Sequence, residues 1–256
     1  MNINAQLSPV IKNRASDSVM KQLLTMIKNG DVCAGERLPG ERDLALSLSV
    51  TRTTVREALR RLENMGLVKV RQGDGIYVCD YRMDTNLDFV NTDITCSDRV
   101  DPDLLISFDE TRRVFAVAIV ELAAQRADAD DLANLRSLVL RCPESNAPMA
   151  LRGEWDYLFY RQIAVASKNR VFVHIVNSLK SVFIQMRHVY SSLDSIADES
   201  IKELNARLVD ALEAHDPTKA AGIVRDRMGW DREKLIERYK ASCSCDKEIP
   251  EGDCNE

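Results

Sequence analysis

The chain has 256 residues, 35 lysines and arginines against 40 aspartates and glutamates, and a formal net charge of −5. That length suits two domains at about 100–200 residues each. No run approaches the ~18 apolar residues of a membrane span, and the opening MNINAQLSPVIKNR lacks a signal peptide's apolar core, so a cytoplasmic protein without membrane contact is expected. The charge is uneven: residues 1–80 carry 12 Lys and Arg against 9 Asp and Glu, and residues 81–256 carry 23 against 31. A basic front joined to an acidic remainder suits a DNA reader with a partner domain. Seven cysteines, at 33, 79, 96, 142, 243, 245 and 254, have neither disulfide-framework nor zinc spacing, and the close pair Cys243 and Cys245 falls in a polar tail.

Ser16 can cap a first helix that runs to about Asn29, with Val19, Leu23, Met26 and Ile27 on one face and Gly30 as its stop. After the loop DVCAGERLPG, a short helix from Glu41 to about Leu48 precedes another across Ser49 and Val50, which is a helix-turn-helix pattern. In the stretch VTRTTVREALRRLENMG, Val55, Ala58 or Leu59, Leu62 and Met65 recur at the spacing of one buried helix face. Two β-rich runs, Leu67 to Arg71 and Ile76 to Val78, flank a turn at residues 72–75 and predict a hairpin. Residues 81–100 show no sustained period and are taken as a linker. Helices are then expected near 102–127, 129–141, 149–167, 169–193, 197–214 and 217–241. The stripe Phe172, Ile175, Val176, Leu179, Val182, Phe183, Met186, Val189 marks residues 169–193 as the central helix of a bundle. The fold class is therefore mainly α. It comprises a winged helix-turn-helix over 1–80, a linker over 81–100, a helical effector-binding domain over 101–242 and a flexible tail over 243–256.

Arg52, Thr53, Thr54 and Arg56 crowd the first turns of the third helix, where unsatisfied N–H groups and the helix dipole already favour anions. Arg52 and Arg56, one turn apart, suit guanine and phosphate contacts in a major groove, the threonines suit backbone or thymine-methyl contacts, and Arg42 has the reach to touch the groove wall. Gly73 at the hairpin tip permits close approach to DNA. The competing interpretation is an ordinary capped helix with a solvated basic face.

The run RLPGERDLALSLSVTRTTVREALRRLENMGLVKVRQGDGIYV resembles, without a gap, the N-terminal domain of the GntR family of bacterial transcription regulators. The resemblance implies DNA contacts from Arg42, Arg52, Thr53, Thr54, Arg56, Gln72 and Gly73. It also implies a homodimer on a palindromic double-stranded operator, since two recognition helices about one turn apart mirror the protein's two-fold axis. The segments DLLISFDETRRVFAVAIVELAA, WDYLFYRQIAVASKNRVF and LVDALEAHDPTKAAGIVRDRM are similar to the FadR subfamily, whose C-terminal domain is a helical effector-binding bundle. Many members of that subfamily hold a divalent metal with an aspartate and three histidines. Here Asp156 is present, but Tyr160, Asn205 and Arg227 stand where the histidines would be, so neither metal nor other cofactor is expected.

Arg112 lies where family members hold a carboxylate- or phosphate-bearing effector, and Asp156, Tyr160, His188, Asn205 and Arg227 are the other candidates for an anion pocket. The chain looks most like the fatty-acyl-CoA-responsive branch, which implies a role in fatty acid metabolism, although Arg232 and Ile236 replace the hydroxyl and aromatic residues expected there. A small organic acid is the alternative effector. Internal salt bridges among these arginines, or a vestigial pocket, remain open, as does pairing of Asp156 with an arginine. An enzyme using Asp156, Tyr160 and His188 as acid and base lacks any nucleophile or cofactor-loop signature.

Overall fold

The computed structural model describes residues 15–96, 101–144, 146–191, 198–226 and 228, with side chains at all of these except 96, 102, 186–191 and 198–200. The chain divides into two compact units, the first ending at Phe89 and the second beginning at Val90.

In the first unit, α1 (Ala15–Lys28) buries Val19, Met20, Leu23, Leu24 and Ile27. It closes on the left-handed Gly30, with Asp31 N–H donating to Met26 O and Gly30 N–H to Ile27 O, which satisfies two orphan carbonyls. Helices α2 (Glu41–Ser47) and α3 (Arg52–Asn64) form the helix-turn-helix. The turn between them uses the same closing pattern, with Val50 N–H on Ala45 O and Ser49 N–H on Leu46 O. Its left-handed residue is Ser49, at φ 54°. Thr51 caps α3, accepting from Thr54 N–H at 3.2 Å, and Val55, Ala58, Leu59 and Leu62 enter the core against α1 and α2.

Strands β2 (Val68–Arg71) and β3 (Gly75–Val78) make the expected antiparallel hairpin, with Arg71 opposite Gly75. A strand not anticipated from the sequence, β1 (Arg37–Leu38), joins β3 on its other side, giving the order β1-β3-β2. On the edge strand β2 the Val70 N–H donates to the Glu63 carboxylate at 3.1 Å, so α3 itself blunts that edge.

Within the segment expected to be a linker, α4 (Leu87–Cys96) is helical, and the boundary between the units falls inside it. Its polar residues have weak helix propensity; burial of Phe89 and Ile94 outweighs that. Ile94 packs with Leu105, Phe108 and Val182 in a small second core, flanked by Val90 and Leu179.

The second unit continues with α5 (Pro102–Arg126), α6 (Ala129–Leu140), α7 (Met149–Ala166), α8 (Arg170–Ser178), α9 (Lys180–Ser191), α10 (Asp198–Glu213) and helical residues 217–226. The single helix expected over 169–193 is broken at Leu179. Ser178 Oγ donates to His174 O at 3.0 Å, a back-bond that bends helices, and the broken stripe then serves two cores: Val176 in the main one, Val182 in the smaller. The centre of the bundle is α7 instead, packed against α5, α6, α8 and α9. It buries residues around most of its circumference, among them Trp155, Tyr157, Phe159 and Ile163, which is why it shows little amphipathic period. The flexible tail and the end of the helix expected over 217–241 lie outside the described residues.

Gly66 stops α3 at φ 82°, and a Cβ there would press into the Asp84 carbonyl oxygen. Gly66→Ala is expected to destabilise the first unit by about 1–3 kcal/mol through backbone strain, with the close approach adding to it. Urea unfolding followed by circular dichroism checks this, and a variant as stable as the parent contradicts it.

Candidate nucleic-acid interface and effector site

On α3, Arg52, Arg56 and Arg60 stand at i, i+4 and i+8 and form a row alongside the buried stripe; all three are exposed. Arg60 extends the row beyond the two arginines singled out from the sequence; the same spacing could have found it. Arg42 on α2 is also exposed. Among the described residues, Arg42, Arg52 and Arg60 make no ion pair. Thr53 is exposed, whereas Thr54 is half-buried and engaged in the cap, its N–H on Thr51 Oγ1 and its hydroxyl 2.9 Å from the same oxygen.

Arg56 is held. Its Nε lies 3.0 and 3.2 Å from the two carboxylate oxygens of Glu41, and its Nη2 donates to Glu41 Oε2 at 2.6 Å. That hydrogen bond lowers the Glu41 carboxyl below its ordinary range; burial opposes the effect, and the charges of Arg56, Arg52 and Arg60 reinforce it. The Glu41 hydrogen bond in turn raises Arg56.

At the wing, Gln72 and Gly73 are both exposed, Gly73 at φ 78° with open space where a Cβ would stand. Arg71, which the sequence reading passed over, lies 4.5 Å over the Tyr77 ring and 3.8 Å from Asp74, whose carboxylate also accepts from Tyr77 Oη at 3.0 Å. Lys69, exposed on the same strand, adds a further cation.

In the second unit, Arg112 does not stand alone on α5. Asp109, 3% exposed, accepts from Arg112 Nη2 and from Arg113 Nε, both at 2.7 Å, at the i+3 and i+4 spacings that place the three groups on one face. Burial pushes the Asp109 carboxyl up, but the charge and hydrogen bond of Arg112, then those of Arg113, outweigh it and hold it below the usual aspartate value of 3.8. Both guanidinium groups thus share the one Asp109 carboxylate. Arg113 Nη2 is buried without a hydrogen-bond partner among the described residues.

Of the other candidates, Asp156 and Tyr160 are half-buried one turn apart on α7, with the Tyr160 ring 5.7 Å from Phe183 and 6.3 Å from Phe159. Asn205 is fully buried on α10. His188 belongs to α9, but its side chain, like all of Arg227, lies outside the described residues. Among the described residues no group of three or more His, Cys, Asp and Glu side chains is disposed to hold a metal. The donor set Asp156, Tyr160 and Asn205, with its neutral phenol packed among aromatic rings, does not fit the aspartate-histidine metal centre of the resemblance.

The profile of bacterial regulatory proteins of the gntR family matches residues 15–78, and that of the FCD domain matches residues 110–229. The chain belongs to the gntR family of transcription regulators, with an FCD effector-binding domain. It is 28% identical over 240 residues to an uncharacterized HTH-type transcriptional regulator of Mycobacterium tuberculosis, spanning 94% of this chain and 97% of that one. Identity to the HTH-type transcriptional regulator LutR of Bacillus subtilis is 26%, over 76% of this chain and 89% of that protein. The Uxu operon transcriptional regulator of Escherichia coli is 40% identical over 144 residues, 55% of this chain and 54% of that one. Among solved structures, Lar of Listeria monocytogenes shares the fold, with a TM-score of 0.59 at 20% identity, over 92% of this chain and 99% of that one. The arginine row belongs to the matched gntR-family residues, and Asp109 lies just ahead of the matched FCD residues. No described helix is long and apolar enough to cross a membrane.

Because the Asp109 carboxyl is depressed in the folded chain, its stabilising effect is present above the ordinary aspartate range and lost as pH falls through the folded value. Asp109→Asn is expected to cost about 2–3 kcal/mol at neutral pH, less than the loss of a fully buried partner because both arginines keep some water contact. It should also flatten the acid limb of a stability profile measured by urea unfolding between about pH 6 and pH 3. An acid limb identical to the parent's contradicts this.

Proposed function

We propose that the chain is a homodimeric repressor or activator that binds a palindromic operator through Arg42, Arg52, Thr53, Arg56 and the wing at Gln72 and Gly73. Its operator affinity is set by a small carboxylate bound in the FCD domain. The observation that carries the DNA reading is the exposed arginine row at the start of α3, free of ion pairs at Arg52 and Arg60 among the described residues. Cations left without protein partners at a helix N-terminus suit phosphates and the acceptor edge of guanine. Thr54 contributes through the cap, holding the first turn in the shape that presents Arg52.

The pair Arg112 and Arg113 supports the effector class. Two guanidinium groups, 18% and 23% exposed, lie side by side on α5, and this compact, mostly shielded arrangement suits the single carboxylate of a small acid. A fatty acyl-CoA is therefore the second effector to try, supported by the resemblance of the bundle segments.

Arg52→Ala is expected to weaken binding to a duplex selected by the parent from a random library by about 1–3 kcal/mol at matched salt, with the melting temperature unchanged. Full affinity in that variant removes Arg52 from the interface. For the effector, a panel of small mono- and dicarboxylates and long-chain acyl-CoAs is tested for a raised melting temperature and for altered affinity toward the selected duplex. The active ligand should change that affinity by about 5–150-fold, and only through unequal affinity for the two binding states. Arg112→Ala should abolish the response and retain duplex binding. A response that persists in Arg112→Ala moves the pocket elsewhere.

A further inference from the structure

Among the described residues, the Glu41 carboxylate is the acidic group that grips the arginine row of α3, and the edge of Arg56 that it grips is informative. A guanidinium offers two edges for paired hydrogen bonds: a side edge, Nε with Nη2, and an end edge, Nη1 with Nη2. Glu41 occupies the side edge, with Nε at 3.0 and 3.2 Å and Nη2 at 2.6 Å, so the end edge is left over. Arg56 nevertheless stays 55% exposed. The carboxylate that fixes it comes from the first residue of the neighbouring helix α2, fifteen residues away in sequence, and not from α3 itself.

We propose that Glu41 is a positioning residue that sets base specificity: it locks the terminal torsions of Arg56 so that only the end edge faces the DNA. That edge suits a base with two adjacent acceptors, O6 and N7 of guanine. Two consequences separate this role from a purely structural one. A free arginine satisfies any phosphate it meets, whereas one paired side-on is electrically offset and gains less from phosphate alone. Glu41 also lies within the field of Arg52 and Arg60, so its charge lowers the attraction of the whole row for nucleic acid of any sequence. Removing Glu41 should therefore raise affinity for random DNA while lowering discrimination, opposite signs that a general loss of structure cannot produce.

The inference rests on the reading that Arg56 contacts DNA, and the test keeps the two apart. Full-length parent, Glu41→Ala, Glu41→Gln, Arg56→Ala and the double variant Glu41→Ala/Arg56→Ala are titrated at one salt concentration. The probes are a duplex selected by the parent from a random library and a random-sequence duplex of equal length. Glu41→Ala is expected to bind the random duplex more tightly and to lose at least about fivefold in the ratio of selected to random affinity, the smaller end of a bidentate base contact. Glu41→Gln, which keeps one acceptor and no charge, should fall between. In the Arg56→Ala background, Glu41→Ala should leave the ratio unchanged. Library selection repeated with Glu41→Ala should lose its preference at one base pair per half-site and keep the rest.

If Arg56→Ala leaves the ratio intact, the reading of Arg56 as a base contact fails. If Arg56→Ala lowers the ratio and neither Glu41 variant does, the positioning role fails alone. A ratio of selected to random affinity that rises in Glu41→Ala also overturns it, since Glu41 would then compete with the base for Arg56. Should Glu41→Ala not fold, the ratio for Glu41→Gln decides between the same outcomes.

Discussion

Burial of one face of α3 is the constraint on which the DNA-binding unit depends. Val55, Ala58, Leu59 and Leu62 are removed from water against α1 and α2, at roughly 1.5–3 kcal/mol for each large side chain. Once that face is fixed inward, Arg52, Arg56 and Arg60 are left along its exposed flank. The same burial sets where the chain leaves the helix: Gly66 turns it, Asn86 Nδ2 donates to Asn64 O at 2.7 Å, and Glu63 meets the edge of β2. The position of the wing relative to the arginine row thus follows from packing that touches no ligand.

The helical unit is organised differently. Its centre, α7, buries a wide arc of aromatic and aliphatic side chains, and a dense charge cluster stands on a neighbouring helix. On α5 this takes the form of one carboxylate shared by two arginines. Such an arrangement holds two guanidinium groups together at the bundle without any ligand. On the proposed reading, those side chains are where a bound anion would act.

How much of this was legible beforehand depended on length and period. The α3 stripe from Val55 to Met65 runs through about three turns without interruption, and the hairpin is bounded by glycine, so both were readable. Strand β1 has two residues, too few for alternation to exist. Helix α4 hides among Asn91, Thr92, Asp93 and Thr95, which disfavour helix in isolation, and forms because Phe89 is buried and Ile94 finds a partner as distant in sequence as Val182. The break at Leu179 was invisible because the apolar spacing continues across it while the hydrogen bonding does not. At the sites, Arg42, Arg52 and Arg56 could be placed by pattern. That Glu41 grips Arg56 could not, since α2 and α3 had first to be folded together. The grouping of Asp109 with Arg112 and Arg113 was present in the i+3 and i+4 spacing, but an arginine considered as a ligand for something external draws attention away from its neighbour on the same helix.

The left-handed Ser49 gives the helix-turn-helix a property that composition alone would not suggest. A glycine there would adopt the same turn with less strain and with more freedom to leave it. With serine in the turn, and with Glu41 and Arg56 bridging the two helices on their outer side, α2 and α3 form one stiff body and not two hinged rods. A stiff reader cannot tilt one helix to accommodate a poor step in the duplex while the other keeps its grip. On the proposed reading of Arg42 and Arg52, an error met by one is also felt at the other, and tolerance of degenerate half-sites becomes a matter of how far the DNA, and not the protein, will bend.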